Sequence, residues 1–434
     1  MKAAFYTLGC KVNQYETEYM SELLSKAGFE IVSPDCDADY YIINSCTVTA
    51  TADQKTRQNV RKFKRKHPDA VIILTGCMPQ AFPESAEALQ EADIVISNKS
   101  DSDILSVINQ YNISHNRIVN IDTHQTGDPF ESCSITHFSE RIRAFVKIED
   151  GCDRFCSYCI IPKARGRVRS KQPAELKKEI EQLAKNGIKE IVLVGINLSA
   201  YGKGEDFDIT DAVQICADNK SIMRVRLGSL EPDHITDDVI KALAEIEKFC
   251  PQFHISLQSG CDNTLKAMNR HYSADEYRQL CSKLRRTFKD CTLTTDIMTG
   301  FHGESESDFA LSLAFIEEIG FEKVHTFPYS ERSGTAASRR GENVPKAEKE
   351  RRAGIVIETA QHIREDYMHS LIGSTVEVLF ESCVENGVYR GYTKNYVPVR
   401  INSNTDIIGR ALPVTIQHYE AAQDYCFALP ATDF

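Results

Sequence analysis

Several features that would restrict the function of this chain are absent from its sequence. The 434 residues include no tryptophan. No apolar run approaches the ~20 residues that a membrane-spanning helix requires. The first residues lead directly into a strand-like segment, without the basic and apolar regions of a signal peptide. We therefore expect a soluble cytoplasmic protein without a membrane partner.

Basic residues are also fewer than acidic residues in this chain. The chain has 51 lysines and arginines against 62 aspartates and glutamates, which gives a formal net charge of −11. This balance argues against general nucleic-acid binding, although a local basic surface remains compatible with it. The length suits about two to four domains with buried cores.

The hydrophobic periodicity indicates an α/β protein with three regions. Residues 1–125 alternate apolar strands with amphipathic helices, which is typical of a doubly wound parallel sheet. Residues 126–140 are polar and read as a linker. Residues 141–370 predict a partial (β/α)6 barrel, whose active residues would gather at the C-terminal ends of its strands. Its predicted strands are residues 143–148, 190–194, 224–227, 253–257, 293–297 and 323–327.

The last region, residues 371–434, changes to a period of two. Such alternation is typical of antiparallel strands, and it predicts a small antiparallel β-barrel. The strands expected there are residues 376–380, 388–393 and 396–401.

Cysteine is abundant, with 15 residues. In a reducing compartment these thiols predict metal sites rather than disulfides. Residues 151–159 read Gly-Cys-Asp-Arg-Phe-Cys-Ser-Tyr-Cys, so that Cys152, Cys156 and Cys159 have Cys-x3-Cys-x2-Cys spacing. Three thiolates leave one iron of a four-iron cluster open, whereas electron-transfer clusters normally take four cysteines. The spacing therefore predicts a catalytic cluster that can bind a substrate or cofactor.

Zinc is the alternative metal that this triplet could bind. Structural zinc normally requires a fourth cysteine or histidine at a regular spacing. His137 lies well upstream, and no Cys-x2-Cys pair follows to complete such a site. The triplet therefore favours iron and sulfur.

Three more cysteines, Cys10, Cys46 and Cys77, share a position at or just beyond the end of a predicted strand. Because the carboxyl ends of parallel strands line the ligand crevice of an open sheet, three distant thiols can meet there. The alternative is three unrelated buried thiols, which are ordinary core residues. The strands in question are residues 3–8, 40–44 and 71–75.

Both sets of cysteines together resemble a known family. The triplet resembles the radical S-adenosylmethionine (SAM) signature, and with Cys10, Cys46 and Cys77 the chain is similar to the methylthiotransferases over essentially its whole length. The resemblance implies an N-terminal cluster domain, a radical SAM barrel and a TRAM-type RNA-binding barrel. It further implies two 4Fe-4S clusters and SAM as cofactors, with the six cysteines as metal ligands and catalytic residues.

Members of this family act on threonylcarbamoyladenosine in the tRNA anticodon loop, on isopentenyladenosine in tRNA, or on a ribosomal protein aspartate. Residues 8–13, Leu-Gly-Cys-Lys-Val-Asn, and 152–156, Cys-Asp-Arg-Phe-Cys, are similar to the first group. The resemblance implies transfer of a methylthio group to C2 of N6-threonylcarbamoyladenosine, with a low-potential electron donor and a sulfur donor as partners. The other two targets, and a non-catalytic iron-sulfur RNA-binding regulator, are the alternatives.

Segments at the ends of the barrel strands resemble SAM-binding segments of the family. An ordinary strand-to-loop turn is the alternative at each position. Residues 193–197 also lack the glycine-glycine-glutamate motif of radical SAM proteins. The contacts that the resemblance implies are Tyr158, Gly195, Asn197, Ser229, Glu231, Gln258, Arg270 and Asp296.

Two basic runs predict contacts with RNA phosphates, because dense positive charge attracts them. A solvated helix face is the alternative for the first run. The terminal barrel has tyrosines that suit base stacking, or that are core residues at strand spacing. These residues are, in order, Lys55, Arg57, Arg61, Lys62, Lys64, Arg65 and Lys66; Lys163, Arg165, Arg167, Arg169 and Lys171; and Tyr389, Tyr392, Lys394, Tyr396 and Arg400.

Overall fold

The N-terminal region is a six-stranded, wholly parallel sheet in the order β2-β1-β3-β4-β5-β6. The computed structural model describes residues 1–99, 101–138, 142–341 and 344–431. The strands are β1 Lys2–Thr7, β2 Glu30–Val32, β3 Tyr40–Ser45, β4 Val71–Gly76, β5 Ile94–Ile96 and β6 Ile118–Asn120. The helices are α1 Lys11–Lys26, α2 Ala50–Lys66, α3 Cys77–Ala81, α4 Pro83–Glu87 and α5 Ile104–Ser114.

This sheet confirms the doubly wound prediction. Every residue of β3 is buried, because helices cover both faces of the sheet and leave one apolar core on each side. The strand order reverses between β1 and β3, and this reversal opens the crevice in which such folds bind ligands. The residues that follow these two strands include Cys10 and Cys46.

The middle region is a partial barrel of parallel strands, as predicted. Two sheets, β11-β10-β7 and β12-β13-β14-β15, continue each other because only Gly228 separates β11 from β12. Its strands are β7 Arg143–Lys147, β10 Glu190–Val194, β11 Arg224–Leu227, β12 Ser229–Leu230, β13 Gln252–Ile255, β14 Thr292–Thr299 and β15 Lys323–Pro328. Two short strands, β8 Glu149–Asp150 and β9 Arg169–Ser170, form a separate antiparallel pair.

Helices cover the outside of this barrel and complete its apolar core. Val12 and Tyr15 of α1 belong to the same core, so the N-terminal region packs directly against the barrel. The helices are α6 Ile161–Arg165, α7 Pro173–Lys185, α8 Ile209–Asp218, α9 Asp237–Glu245, α10 Asp262–Ala267, α11 Ala274–Thr287, α12 Glu306–Ile319 and α13 Lys346–Ser370. In the described parts of the chain, no helix is long and apolar enough to cross a membrane.

The C-terminal region is a closed barrel in the order β16-β17-β18-β20-β19. Its pairs are antiparallel except for β18 and β20, which run parallel, so the antiparallel prediction is wrong for that pair. The sequence also missed the last two strands. The strands are β16 Thr375–Glu385, β17 Val388–Thr393, β18 Pro398–Asn402, β19 Ala411–Glu420 and β20 Tyr425–Pro430.

This terminal barrel lies against the N-terminal ends of the partial-barrel strands. Arg224, the first residue of β11, donates a hydrogen bond to the Tyr392 carbonyl at 2.6 Å. Thr292, the first residue of β14, donates to the Asn395 carbonyl at 2.7 Å. The opposite, C-terminal strand ends carry the cysteine triplet.

Candidate functional site

The cysteine triplet lies in a tight loop between β8 and α6. Gly151 has a φ of 89°, and a Cβ placed there would lie 2.0 Å from the Arg167 carbonyl oxygen. The Cys152 amide donates to the Gly166 carbonyl at 3.0 Å, and the Cys159 amide donates to the Cys156 carbonyl at 3.0 Å. The loop therefore turns around the three thiols, and only glycine fits its entrance.

We expect Gly151→Ala to weaken this loop. The added Cβ meets backbone rather than a movable side chain, so strain and overpacking should cost about 2–4 kcal/mol. Gly187→Ala is the matched control, since Gly187 has a φ of 91° but nothing within 4 Å of the added atom. Thermal unfolding and iron content after reconstitution measure both effects. Equal losses in the two variants would contradict the role of the contact with Arg167.

A second segment supports the triplet loop from the barrel side. The Ser157 amide donates to the Met268 carbonyl at 2.9 Å. Arg270 Nη1 lies 3.3 Å from the Cys156 Sγ, and its Nη2 lies 2.5 Å from Glu231 Oε2. Two of the expected SAM contacts, Glu231 and Arg270, are thus brought directly beside a triplet thiol.

The triplet thiols face one another in a poorly solvated space. Burial, with a smaller contribution from the neighbouring Cys156 thiol, raises the pKa of Cys159 to about 12. Burial also raises the pKa of Cys152, with contributions from Cys159 and Cys156. Three thiols fit a four-iron cluster that keeps one open iron. Within the described ranges, no three His, Cys, Asp or Glu side chains, those of the triplet included, group closely enough for a single metal ion.

The second set, Cys10, Cys46 and Cys77, converges at the crevice of the N-terminal sheet. A Cβ placed on Gly9 would lie 3.1 Å from the Cys46 Cβ, which shows how closely the two loops approach. Burial raises the pKa of Cys77 to about 12 against the opposing effect of Arg165, and the Cys46 and Cys10 thiols contribute to the rise. The structure therefore brings these three side chains together, although they are far apart in the sequence.

A buried ion network joins this second set to the partial barrel. Arg165 Nε donates to the Cys77 Sγ at 3.2 Å, and the same guanidinium pairs with Glu16 of α1. Lys147 lies 3.1 Å from Glu16, and Asp150 lies 3.6 Å from Arg165. Burial opposes charge on Asp150, but Lys147 and Arg165 nevertheless lower its pKa.

This network corrects the interpretation of the second basic run. Arg165 and Lys171 are completely buried, and Lys171 pairs with Glu179. Arg169 lies 3.5 Å from Asp150. Charges enclosed in this way do not contact phosphate, so three of the five basic residues in residues 163–171 stabilise the fold instead.

The first basic run behaves differently. The basic side chains of α2 that are exposed are Lys55, Arg61, Lys62, Arg65 and Lys66, which we call the α2 basic face. Arg61 pairs with Glu91 at 3.1 Å, and no other member forms an ion pair within the described residues. This face is therefore available to phosphates.

A cavity of about 450 Å³ occupies the lumen of the partial barrel. Three of the expected SAM contacts, Gly195, Ser229 and Asp296, line it. Cys10 of the second set lines it as well. The cavity therefore lies between the second cysteine set and the strand ends of the barrel.

The other expected contacts lie outside this lining. Asn197 donates its amide to Glu149 Oε2 at 2.7 Å, while the Asn197 Oδ1 and Glu149 Oε1 are buried without a hydrogen-bond partner. Gln258 has a φ of 71° and donates its amide to the Asp296 carbonyl at 2.8 Å. Tyr158 packs against Phe301 with ring centroids 6.1 Å apart. The unpartnered oxygens mark a buried polar position at the end of β10 that suits a ligand.

Sequence reasoning missed several residues that line the cavity. Lys11 follows Cys10 and lines the cavity. Its side chain is accessible to solvent, but desolvation by the surrounding protein, together with Arg143 and Arg226, lowers its pKa to about 8. His325 of β15 and Lys323 also line the cavity. Their strand positions alone gave no functional signal, because alternate residues of any barrel strand point inward.

The tyrosines of the terminal barrel do not form an open stacking surface. Tyr389 is part of the apolar core of that barrel. Tyr392 and Tyr396 stack on each other with centroids 4.7 Å apart. The guanidinium of Arg143 lies 5.1 Å and 5.2 Å from their ring centroids. These two tyrosines therefore join the two barrels, and Tyr396 also lines the cavity.

Comparison with known families identifies two matching regions. Residues 2–97 match the model described as uncharacterized protein family UPF0004, and residues 146–316 match the radical SAM superfamily. The chain is 36% identical to threonylcarbamoyladenosine tRNA methylthiotransferase MtaB of Bacillus subtilis (strain 168), across 95% of this chain and 93% of that protein. It is 38% identical to the protein of the same name from Thermotoga maritima, across 90% and 89%.

A relative with another name is almost as similar. The tRNA-2-methylthio-N(6)-dimethylallyladenosine synthase of Clostridium novyi (strain NT) is 35% identical, across 94% of this chain and 92% of that protein. Identity alone therefore distinguishes poorly between the two adenosine substrates.

Solved structures confirm the radical SAM fold. The radical SAM methyltransferase TsrM from Kitasatospora setae, with cobalamin and a [4Fe-4S] cluster bound, has a TM-score of 0.54 at 14% identity, over 75% of this chain and 74% of that chain. The cobalamin-dependent SAM radical enzyme OxsB has a TM-score of 0.51 at 10% identity, over 83% and 56%. At these identities the likeness concerns the fold alone.

Proposed function

This chain belongs to the radical SAM tRNA methylthiotransferase family, and we propose that it transfers a methylthio group to C2 of N6-threonylcarbamoyladenosine in the tRNA anticodon loop. The family implies a 4Fe-4S cluster and SAM, and it is a family of enzymes, which argues against a non-catalytic regulator. The observation that carries the proposal is the cavity that Cys10 shares with Gly195, Ser229 and Asp296. One substrate there would contact Cys10 of the second set and the strand ends of the barrel.

The proposal assigns one cluster to each cysteine set. Cys152, Cys156 and Cys159 would hold the cluster that supplies the electron for SAM cleavage, and Cys10, Cys46 and Cys77 a second cluster that supplies sulfur. Arg270 supports the first site by donating to the Cys156 Sγ, and Arg165 supports the second by donating to the Cys77 Sγ. A low-potential electron donor and a sulfur donor would be further partners.

SAM would bind where the strand ends meet the triplet loop. The residues proposed for this role surround that loop or line the cavity. Glu231 and Arg270 form a pair that fixes each other's orientation, and a ligand with amino and carboxylate groups can contact both charges. The full proposed set is Tyr158, Gly195, Asn197, Ser229, Glu231, Gln258, Arg270 and Asp296.

The RNA would approach along the α2 basic face, which begins just after Cys46. Exposed lysines and arginines there suit contacts with phosphates. The target adenine would leave its stack to enter the cavity, which costs least in a single-stranded loop. A cavity of about 450 Å³ falls within the range of ~300–1,000 Å³ typical of small-molecule sites.

Nucleoside analysis of cellular tRNA tests the substrate. In a strain that lacks the gene, we expect the 2-methylthio form of threonylcarbamoyladenosine to disappear and its precursor to accumulate, because no other step of the proposed reaction consumes the precursor. Liquid chromatography with mass spectrometry measures both nucleosides. The wild-type gene should restore the product, and a Cys156→Ala copy should not. Loss of the methylthio form of isopentenyladenosine instead would favour the dimethylallyladenosine alternative.

A further inference from the structure

Charged side chains of both signs lie in and around the lumen of the partial barrel. Arg226 and Arg143 both approach Glu190, at 3.1 Å and 3.8 Å. Arg143 also lies 3.4 Å from Glu381. These two guanidinium groups and two carboxylates balance one another. The cavity lining adds Lys11, Lys323 and Asp296, and Lys323 pairs with Asp424 at 3.6 Å.

Lys11 forms no ion pair in the part of the chain that the structure describes, although the Glu190 carboxylate attracts its charge from a greater distance. Its ammonium lies 5.7 Å from the centroid of the Phe145 ring, and its side chain lines the cavity. The cavity carboxylate, Asp296, is engaged by His254 at 3.2 Å. A cation in a partly enclosed space, next to other cations, gains most from an anion that arrives with a ligand.

Lys11 is also placed where the substrate would bind. It follows Cys10 directly in the sequence, and both residues line the cavity together with Gly195 and Ser229. An anionic group bound by Lys11 would therefore belong to a molecule that extends towards the strand ends of the barrel. Among the nucleosides modified by this family's named members, threonylcarbamoyladenosine carries a carboxylate, whereas dimethylallyladenosine carries a neutral, apolar group on N6.

Resting on the function proposed above, we propose that Lys11 binds the carboxylate of the threonylcarbamoyl group and so selects this substrate over an N6-prenylated adenosine. The ammonium forms a charge-assisted hydrogen bond with the carboxylate, which is stronger than a neutral one. A prenyl group in the same place would cover the ammonium with apolar surface and leave it unpaired. Lys11 thus acts through both attraction and rejection.

Binding of short anticodon stem-loops tests this role. Three RNAs are compared, carrying threonylcarbamoyladenosine, its methyl ester, or unmodified adenosine, with the reconstituted full-length protein. We expect the wild type to bind the acid at least about 10-fold more tightly than the ester, as one charge-assisted hydrogen bond allows. In Lys11→Gln the ratio should fall below about twofold, and Lys11→Arg should retain most of it. Lys177→Gln, on the exposed face of α7, is the matched control.

The binding measurements give different results if Lys11 contacts an anion other than the threonylcarbamoyl carboxylate. If Lys11→Gln weakened the binding of all three RNAs equally, Lys11 would contact a phosphate. If the substitution raised only the Kd for SAM, Lys11 would contact the SAM carboxylate. Either outcome overturns the proposal, as does an unchanged acid-to-ester ratio in Lys11→Gln. A wild-type ratio near one overturns it before any variant is made, while the nucleoside analysis tests the proposed function separately. Iron content checks that the neighbouring Cys10 still functions as a ligand.

Discussion

Replacing Cys156 by alanine should abolish SAM cleavage while leaving about half of the iron in the purified chain. The reason is that the two cysteine sets occupy separate regions, so that removing one thiol of the triplet leaves Cys10, Cys46 and Cys77 intact. Iron analysis and the formation of 5′-deoxyadenosine measure the two effects independently. Loss of all iron in this variant would contradict two separate cluster sites.

The reciprocal variant, Cys77→Ala, should show the opposite pattern. We expect it to keep 5′-deoxyadenosine formation and about half of the iron, but to make no methylthio product, because the triplet is untouched. Cys36→Ala is the control, since Cys36 is an exposed thiol outside both sets. If Cys77→Ala formed product at the wild-type rate, the second set would have no part in sulfur transfer.

Replacing Arg165 by methionine should lower the free energy of unfolding by about 3–5 kcal/mol. Arg165 is completely buried and contacts Glu16, Asp150 and the Cys77 thiol. Removing one partner of a buried ion pair leaves charge uncompensated, which costs about that much. Because Glu16 lies in α1, the substitution should mainly weaken the packing between the N-terminal region and the barrel. Denaturant unfolding and limited proteolysis between these regions measure it.

The matched control lies two residues away. Arg167 is exposed and pairs with Asp153 at 3.3 Å. Exposed pairs contribute up to about 1 kcal/mol, so Arg167→Met should change stability by no more than that. Similar losses for Arg165→Met and Arg167→Met would show that the buried network does not stabilise the chain.

Much of the fold could be predicted because its signals are local. The strands that precede Cys10, Cys46 and Cys77 are apolar runs, and the central one is buried on every residue. Two of the strands that escaped prediction lie at the edges of the N-terminal sheet. Glu30–Val32 and Ile118–Asn120 have three residues each and no fully buried side chain, so hydrophobic pattern gave no signal.

The candidate site likewise has residues whose positions the sequence predicted and residues whose positions it did not. The triplet was predictable because three thiols within one short loop must lie close together wherever the chain folds. The convergence of Cys10, Cys46 and Cys77 followed from the rule that parallel strands end at one edge. For Arg165, Arg169 and Lys171 the predicted contact with phosphate is wrong, because charge density in a sequence does not tell which side chains are enclosed.

By itself, then, the sequence determined the two sets of cysteines and the order of the three regions, since both depend on spacing and periodicity along the chain. Only the tertiary structure decided which charges are buried and which line the cavity. Burial of a charge depends on partners that are distant in the sequence: Glu16 and Arg165 are separated by 149 positions. For the same reason, only the packing of the three regions places Lys11 in a cavity that all three regions line.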